Sequence, residues 1–510
     1  MSRRDASTLR THSSLSTTQT PTRKHVHTPT RMRAPDWVKH AVFYQIFPDR
    51  FARSGRVEHQ ETIPLKPWGS PPEEQGFQGG DLYGIIDRLD YLDELGVTAL
   101  YLNPIFASAA NHRYHTYDYY EVDPLLGGNE ALRDLLDAAH ARDMRVVLDG
   151  VFNHASRGFW PFHHVLENGT DSPYVDWFVI EDWPLRPYAT SKPHNYAAWH
   201  DIPALPVLNT DHPPVREFLL GVAHHWIEFG IDGWRLDVPR KIETEGFWKD
   251  FRNVVKSIDP EAYLAGEIWS EAPDWLRGDR FDGLMNYPLL DPTLSFFGAG
   301  SLRDYSKAHL TFDPLGADAF ANEIQRLLAL YGWEATCAQL NLLDSHDMAR
   351  AQWILRGNTA ALRQAVLFLM TMPGAPCIYY GDEIGLSAAG DPHCREAFPW
   401  DEDEWDSDLL SFYRAATTLR HRHEVLRTGR VEEVQGEGRT VTIRRALGEA
   451  AALVVFNAGD DPAEIELDPA PLPSTMMSAA WPPTTDETFQ DTVPTVRIPP
   501  RGTRVWTTES

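Results

Sequence analysis

Arg235 and Asp237 stand two residues apart in Gly233-Trp234-Arg235-Leu236-Asp237, and Glu267 follows in Gly266-Glu267-Ile268-Trp269. Residues i and i+2 of a strand share a face, so a strand through the first segment puts a guanidinium beside a carboxylate. Such a cation favours the ionised form of Asp237 and fixes its rotamer, as a nucleophile at an anomeric carbon requires. Trp269 falls on the same face as Glu267. A carboxyl group beside a large apolar ring is desolvated, which suits a group that first donates a proton and then accepts one. A third acid, Asp347, ends Leu343-Asp344-Ser345-His346-Asp347 beside His346, an imidazole able to hydrogen-bond sugar hydroxyls. His154, which closes Asp149-Gly150-Val151-Phe152-Asn153-His154, is a similar donor. Singly, each segment has a plainer reading: an ion pair closing a strand end, a buried structural Glu, a satisfied histidine. Their combination is harder to assign to packing, because it depends on where the strands place them.

From Val42 onward short apolar strands alternate with amphipathic helical stretches, the pattern of βα units around a parallel sheet. The expected strands are Ala41–Phe47, Thr98–Leu102, Arg145–Asp149, Gly233–Val238, Tyr263–Ile268, Gly283–Tyr287, Cys337–Leu343 and Cys377–Tyr380. Eight is the number a closed (β/α)8 TIM barrel needs, and such barrels build their sites at the C-terminal strand ends. The three acids then end strands four, five and seven. Double displacement at a glycosidic bond needs two carboxylates ~5–5.5 Å apart, a spacing adjacent strands can supply. Expected helices include Leu82–Leu95, Glu130–Arg142, Pro214–Phe229, Phe247–Ile258 and Thr359–Met370, with Asn129 as an N-cap and Gly230 as a stop. The Trp-, Pro- and His-rich stretch 155–212 is too long for a bare loop and reads as a small subdomain inserted after strand three. The barrel thus covers 34–424, and 425–510 reads as an antiparallel β-sandwich with strands such as Thr440–Arg444, Ala452–Phe456 and Thr495–Ile498. The fold class is α/β.

A net charge of −26 disfavours nucleic acid and anionic membranes as partners. No run of about 18 apolar residues appears, so no membrane span is expected. Cys337, Cys377 and Cys394 read as free buried thiols suited to a reducing cytoplasm, and no CxxC spacing marks a metal site. Residues 1–33 are rich in Ser, Thr and Arg with one acid, Asp5. That composition fits a disordered tail, a transit peptide or a start placed upstream of Met32.

With Phe77-Gln78-Gly79-Gly80-Asp81-Leu82, Asn111-His112-Arg113-Tyr114-His115-Thr116-Tyr117-Asp118-Tyr119, Leu205-Pro206-Val207-Leu208-Asn209-Thr210 and the stretch from Pro373 to Gly385, the four strand-end segments resemble the α-amylase family, glycoside hydrolase family 13, from about Asp36 to the C-terminus. Within it they look most like the neopullulanase and cyclomaltodextrinase type. The resemblance implies Asp237 as nucleophile, Glu267 as general acid/base and Asp347 as transition-state stabiliser. It implies His154, Arg235 and His346 around the sugar on the non-reducing side, Tyr114 (or, less well, Tyr117) stacked on that sugar, and Trp269 on the acceptor side. The implied substrates are maltooligosaccharides, cyclodextrins, pullulan or starch, cleaved mainly at α-1,4 and also at α-1,6 bonds. A transglycosylase on the same scaffold is the alternative, and a non-catalytic carbohydrate-binding or partner subunit a distant one. No cofactor is required. Calcium stays open: Arg53 and Arg56 stand where calcium-binding relatives carry Asn and Asp, while Asn153 could serve a second calcium position. Neopullulanase-type enzymes dimerise through an N-terminal β domain. The barrel pattern here starts near Asp36, which implies a monomer or weak homo-oligomer.

Overall fold

The computed structural model describes residues 34–508 apart from 59–61, 74, 189–191, 467–476, 484–487 and 490–494. The expected N-terminal tail, 1–33, lies outside the described residues. Eight strands form the core sheet: β1 (Phe43–Ile46), β2 (Ala99–Leu102), β3 (Arg145–Gly150), β4 (Gly233–Leu236), β5 (Tyr263–Gly266), β6 (Gly283–Leu284), β7 (Leu340–Asn341) and β8 (Ala375–Tyr379). All are paired in parallel in the order β7-β8-β1-β2-β3-β4-β5-β6. A parallel bridge between Met285, just after β6, and Leu340 joins the two ends, so the sheet is a barrel. Every residue of β1, β2, β4 and β5 is buried, as expected of strands with side chains filling the barrel inside and helices outside.

The helix Phe247–Ile258 shows how the outer layer is held. Phe247, Trp248, Phe251 and Val255 recur at helical spacing and are all buried. Burying each stabilises by about 1.5–3 kcal/mol. Phe251 meets Phe152 with ring centroids 5.4 Å apart, which anchors the loop carrying His154. Gly230 ends the helix Pro213–Phe229 at φ 108°, the left-handed cap expected of glycine.

Three local expectations need correction. Asn129 is inside the helix Gly128–His140, not its cap: Gly127 caps it, and Asn129 Oδ1 accepts from Val122 N at 2.8 Å, tying the helix to the short strand Thr116–Val122 outside the barrel sheet. The stretch Leu82–Leu95 is broken at Asp87–Arg88 into helices Leu82–Ile86 and Leu89–Glu94. Cys337 closes the short helix Trp333–Cys337, and β7 starts only at Leu340; an apolar run this short does not distinguish a buried helical turn from a strand. All three cysteines are free and buried.

Between β3 and the helix Pro213–Phe229 the chain forms a helix, Trp160–Asn168, and antiparallel bridges Phe178–Leu208, Ile180–Tyr196 and Ala198–Pro206. Phe159, Phe162, Phe178 and Tyr196 are buried among them. The C-terminal strands are β9 (Arg430–Glu437), β10 (Thr440–Leu447), β11 (Ala450–Asn457), β12 (Ala463–Glu466), β13 (Met477–Trp481), β14 (Thr488–Phe489), β15 (Thr495–Ile498) and β16 (Thr503–Thr507). Six form an antiparallel sheet, β9-β10-β11-β16-β13-β14, and β12 pairs with β15. Alternation along β11 sorts its side chains. Ala451, Leu453 and Val455 pack with Ile498 and Trp506 in a small core of their own, while Ala452, Val454 and Phe456 join the main core. The Phe456 ring lies 5.2 Å from Phe297, beside the barrel.

Candidate active site

Strand register builds the site. Asp149 on β3 pairs with Arg235 on β4, and Leu236 pairs with Gly266 on β5, so Asp237 and Glu267 leave their strands at the same level. Asp237 N donates to Gly150 O and Glu267 N to Leu236 O, each at 3.0 Å. Fully buried Arg235 lies between the acids. Its Nη1 donates to Asp149 Oδ1 at 2.7 Å and to Asp237 Oδ1 at 3.1 Å, and its Nη2 lies 3.2 Å from Glu267 Oε2. Tyr101 and Tyr114 donate their hydroxyls to Asp149 Oδ2 at 2.9 and 2.8 Å.

Val238 follows Asp237 at φ 36° and ψ 49°. A β-branched residue in the left-handed region is strained, and such outliers concentrate at functional sites. Here the turn aims Val238 N at Glu267 Oε2, 2.9 Å away. Trp269 does not offer Glu267 the apolar face expected from sequence. Its Nε1 donates to Glu267 Oε1 at 2.8 Å, and its ring stacks on Tyr287 with centroids 3.9 Å apart. A cavity of about 640 Å³ begins at Trp269 and continues past Ser270, His309 and Asp291.

His346 joins the same cluster from β7. Its Nε2 lies 2.7 Å from Tyr114 Oη and 3.1 Å from Asp347 Oδ2. The Tyr114 and His346 rings stack at 5.5 Å and 8°. Asp347 is the most open of the acids, with 27% of its side chain exposed, and Arg395 Nη2 reaches its Oδ1 at 3.5 Å. His154 is buried, its ring parallel to Trp199 at 5.8 Å, and its Nε2 has no hydrogen-bond partner among the described residues. The structure thus brings Asp237, Glu267, Asp347, Tyr114, Arg235, Trp269 and His346 into one linked set of contacts. His154 is placed by the β3 loop, and its link to the set is a contact with the Tyr114 backbone.

One guanidinium faces three carboxyls, and at Asp237 and Asp149 it does not outweigh burial. Burial first, then the Glu267 charge, pushes the Asp237 carboxyl well above the usual range against the pull of Arg235. Arg235 favours the ionised form of Asp237, as expected, but burial and the Glu267 charge act against it. Burial also raises Asp149. The same desolvation lowers His154 to about 3 and drives His346 well below its ordinary value, helped by Arg395 and Arg235, so both imidazoles are neutral.

Sequence reasoning missed Tyr101, Gln45, Asn103 and Arg395 and gave no role to Asp149, although Asp149 opens one of the four quoted segments. Gln45 and Asn103 sit at the ends of β1 and β2, and that position is the signal that could have found them. Among the described residues no group of three His, Cys, Asp or Glu is arranged to hold a metal ion. Arg53 donates Nε to Gln78 O at 3.0 Å, and Asn153 Nδ2 faces His154 Nδ1 at 3.3 Å.

A family model described as the α-amylase catalytic domain matches residues 45–409. The chain belongs to the α-amylase family. It is an α-amylase-family glycosidase similar to a cyclomaltodextrinase of Geobacillus thermopakistaniensis, 41% identical over 446 residues that cover 87% of this chain and 73% of the relative. It is also 41% identical to neopullulanase 2 of Thermoactinomyces vulgaris, over 86% of this chain and 72% of that protein. A debranching enzyme of Nostoc punctiforme superposes with a TM-score of 0.84 at 46% identity, over 93% of this chain and 99% of the other. The resemblance to the neopullulanase and cyclomaltodextrinase type therefore holds. No helix among the described residues is long and apolar enough to cross a membrane.

Proposed function

We propose that this family member hydrolyses α-glucosidic bonds of maltooligosaccharides, cyclodextrins, pullulan or starch with net retention. Asp237 is the nucleophile, Glu267 the acid/base and Asp347 the stabiliser of positive charge at the reacting carbon. The observation that carries this reading is the sharing of Arg235 by Asp237 and Glu267 at one level of adjacent strands. A guanidinium is narrow, so two carboxyls within ion-pair reach of its two terminal nitrogens flank a single bond, as double displacement requires. Trp269 and Val238 N hold Glu267 in a fixed orientation. Tyr114 and His346 supply a stacked, hydrogen-bonding wall for the sugar, and His154 Nε2 offers an unpaired ring nitrogen to a hydroxyl. The names of the relatives support the substrate class. The chain acts as a monomer or weak homo-oligomer without a required cofactor, and its three buried thiols suit a cytoplasmic setting. The cavity that begins at Trp269 could seat an acceptor sugar, which favours some transglycosylation beside hydrolysis. Proton NMR of the first product tests the mechanism: the α-anomer should appear before mutarotation. An initial β-anomer would exclude Asp237 as nucleophile.

A further inference from the structure

Two amides converge on one imidazole nitrogen beneath the site. Gln45, on β1 and 1% exposed, places Nε2 2.7 Å from His346 Nδ1. Asn103, just past β2 and fully buried, places Nδ2 3.1 Å from the same atom and 3.2 Å from Tyr114 Oη. Gln45 Nε2 also donates to Asn103 Oδ1 at 3.1 Å. That bond occupies the Asn103 oxygen and leaves its nitrogen to face His346 and Tyr114. An amide nitrogen only donates, so His346 Nδ1 must accept. The ring is neutral, and its single proton therefore sits on Nε2. From there it points at Tyr114 Oη and Asp347 Oδ2. Tyr114 Oη gives its own proton to Asp149 and is free to accept. The opposite tautomer would set an N–H against two amide N–H groups and leave a lone pair facing Asp347.

We propose that Gln45, backed by Asn103, is a positioning residue that selects the Nε2–H tautomer of His346, so that the imidazole donates toward Tyr114, Asp347 and the sugar hydroxyl in the cleft. This rests on the reading of His346 as a sugar-side donor. The other charged groups around the ring are Arg395, Arg235 and Lys307, none of which can supply an acceptor to Nδ1. A purely structural amide pair would satisfy buried polar atoms without regard to which nitrogen carries the proton.

Histidine-selective nitrogen-15 NMR of the resting enzyme tests the tautomer without substrate, with His346→Asn identifying the signal among 21 histidines. The full-length protein should show a pyridine-type Nδ1 and a pyrrole-type Nε2. Gln45→Glu keeps the shape but offers an acceptor once ionised. In a pH series reaching roughly pH 9, where even buried carboxyls ionise, Nδ1 should become pyrrole-type. In step with that change, kcat on maltohexaose should fall by about 100-fold, the scale of one lost donor. Gln45→Leu removes the donor but adds no acceptor. Asn103, still oriented by its bond to Tyr114 Oη, then keeps a donor on Nδ1, and kcat should fall by much less than in the Glu variant. A structural role predicts the reverse order, since leucine strands the amide's buried partner. The proposal is overturned if the parent carries the proton on Nδ1, if Gln45→Glu retains Nε2–H throughout the series, or if the tautomer switches and kcat does not fall. Failure of the glycosidase reading would instead appear as full activity in Asp237→Asn.

Discussion

The barrel holds two buried groups of acids around an arginine, and they differ in one respect. At the rim of β3–β5, Arg235 serves Asp149, Asp237 and Glu267. Beyond β7 and β8, Arg350 serves Asp382, whose neighbours are Asp344 and Glu383. Burial raises carboxyls in both groups, Asp382 as well as Asp237. In the second group donors within the fold take up the carboxyl oxygens. Glu383 is fully buried and accepts from Tyr44, Tyr91 and Gly381 N at 2.7, 2.7 and 2.9 Å, under a cap of packed rings that includes Phe398 and Trp400. Asp344 accepts from Ala351 N at 2.6 Å. At the rim, Asp237 has Arg235 as its one side-chain donor among the described residues, and Asp347 is partly exposed. A perturbed carboxyl alone therefore does not mark a site. What sets the rim group apart is that Asp237 and Glu267 share one guanidinium on adjacent strands while Asp347 beside them is 27% exposed.

The largest effect should come from Asp237→Asn. Hydrolysis should drop by at least ~10⁴-fold, the scale of a lost covalent nucleophile. The same change should raise Tm at neutral pH. Because the folded-state value of Asp237 lies above the unfolded one, folding is disfavoured increasingly as pH rises from about 3.9 through the folded value. The asparagine removes that penalty, and the Tm gain should vanish as pH falls back toward 4. A Tm loss at neutral pH would contradict the assigned direction of the shift.

Glu267→Gln comes next. Cleavage of maltooligosaccharides should fall by roughly 10²–10⁴-fold. An α-glucosyl fluoride, which needs little protonic help to leave, should lose far less in its first step, and added azide should restore turnover. Since the Glu267 charge is part of what raises Asp237, the acid limb of kcat/KM on the fluoride should also move to lower pH. An unmoved limb would mean that another group sets it.

Arg350→Met probes the second group. Removing the cation strands Asp382, and stability should drop by about 3–5 kcal/mol, read as a lower Tm or denaturant midpoint. Turnover per folded molecule should stay near that of the parent. A large loss of kcat at unchanged Tm would break the distinction between the two groups. The smallest effect is expected from Asp382→Asn, which should leave the pH profile of kcat/KM in place. With His154 and His346 both held neutral by burial, neither variant nor parent should show a histidine limb near pH 6.5.

The sequence by itself determined the eight strands, the helix Phe247–Ile258, the stop at Gly230 and the placing of Asp237, Glu267 and Asp347 just past strand ends. These follow from local periodicity and from residue types that only strand ends of a barrel bring together. Alternation along β10 and β11 likewise announced the C-terminal sheet. Tertiary structure decided what depends on partners far away in the chain. Asn129 became an internal helix residue because Val122 N lies within reach of its side chain. Trp269 turned its N–H to Glu267 because Tyr287 occupies its face. The protonation balance of Asp237 follows from burying it with β3, β4 and β5 around one guanidinium, and no spacing along the chain reports how many carboxyls will share it. Gln45 and Asn103 are further examples. As letters they are two ordinary amides, and only the closure of β7 and β8 onto β1 brings them to His346, where the direction of a hydrogen bond acquires a consequence.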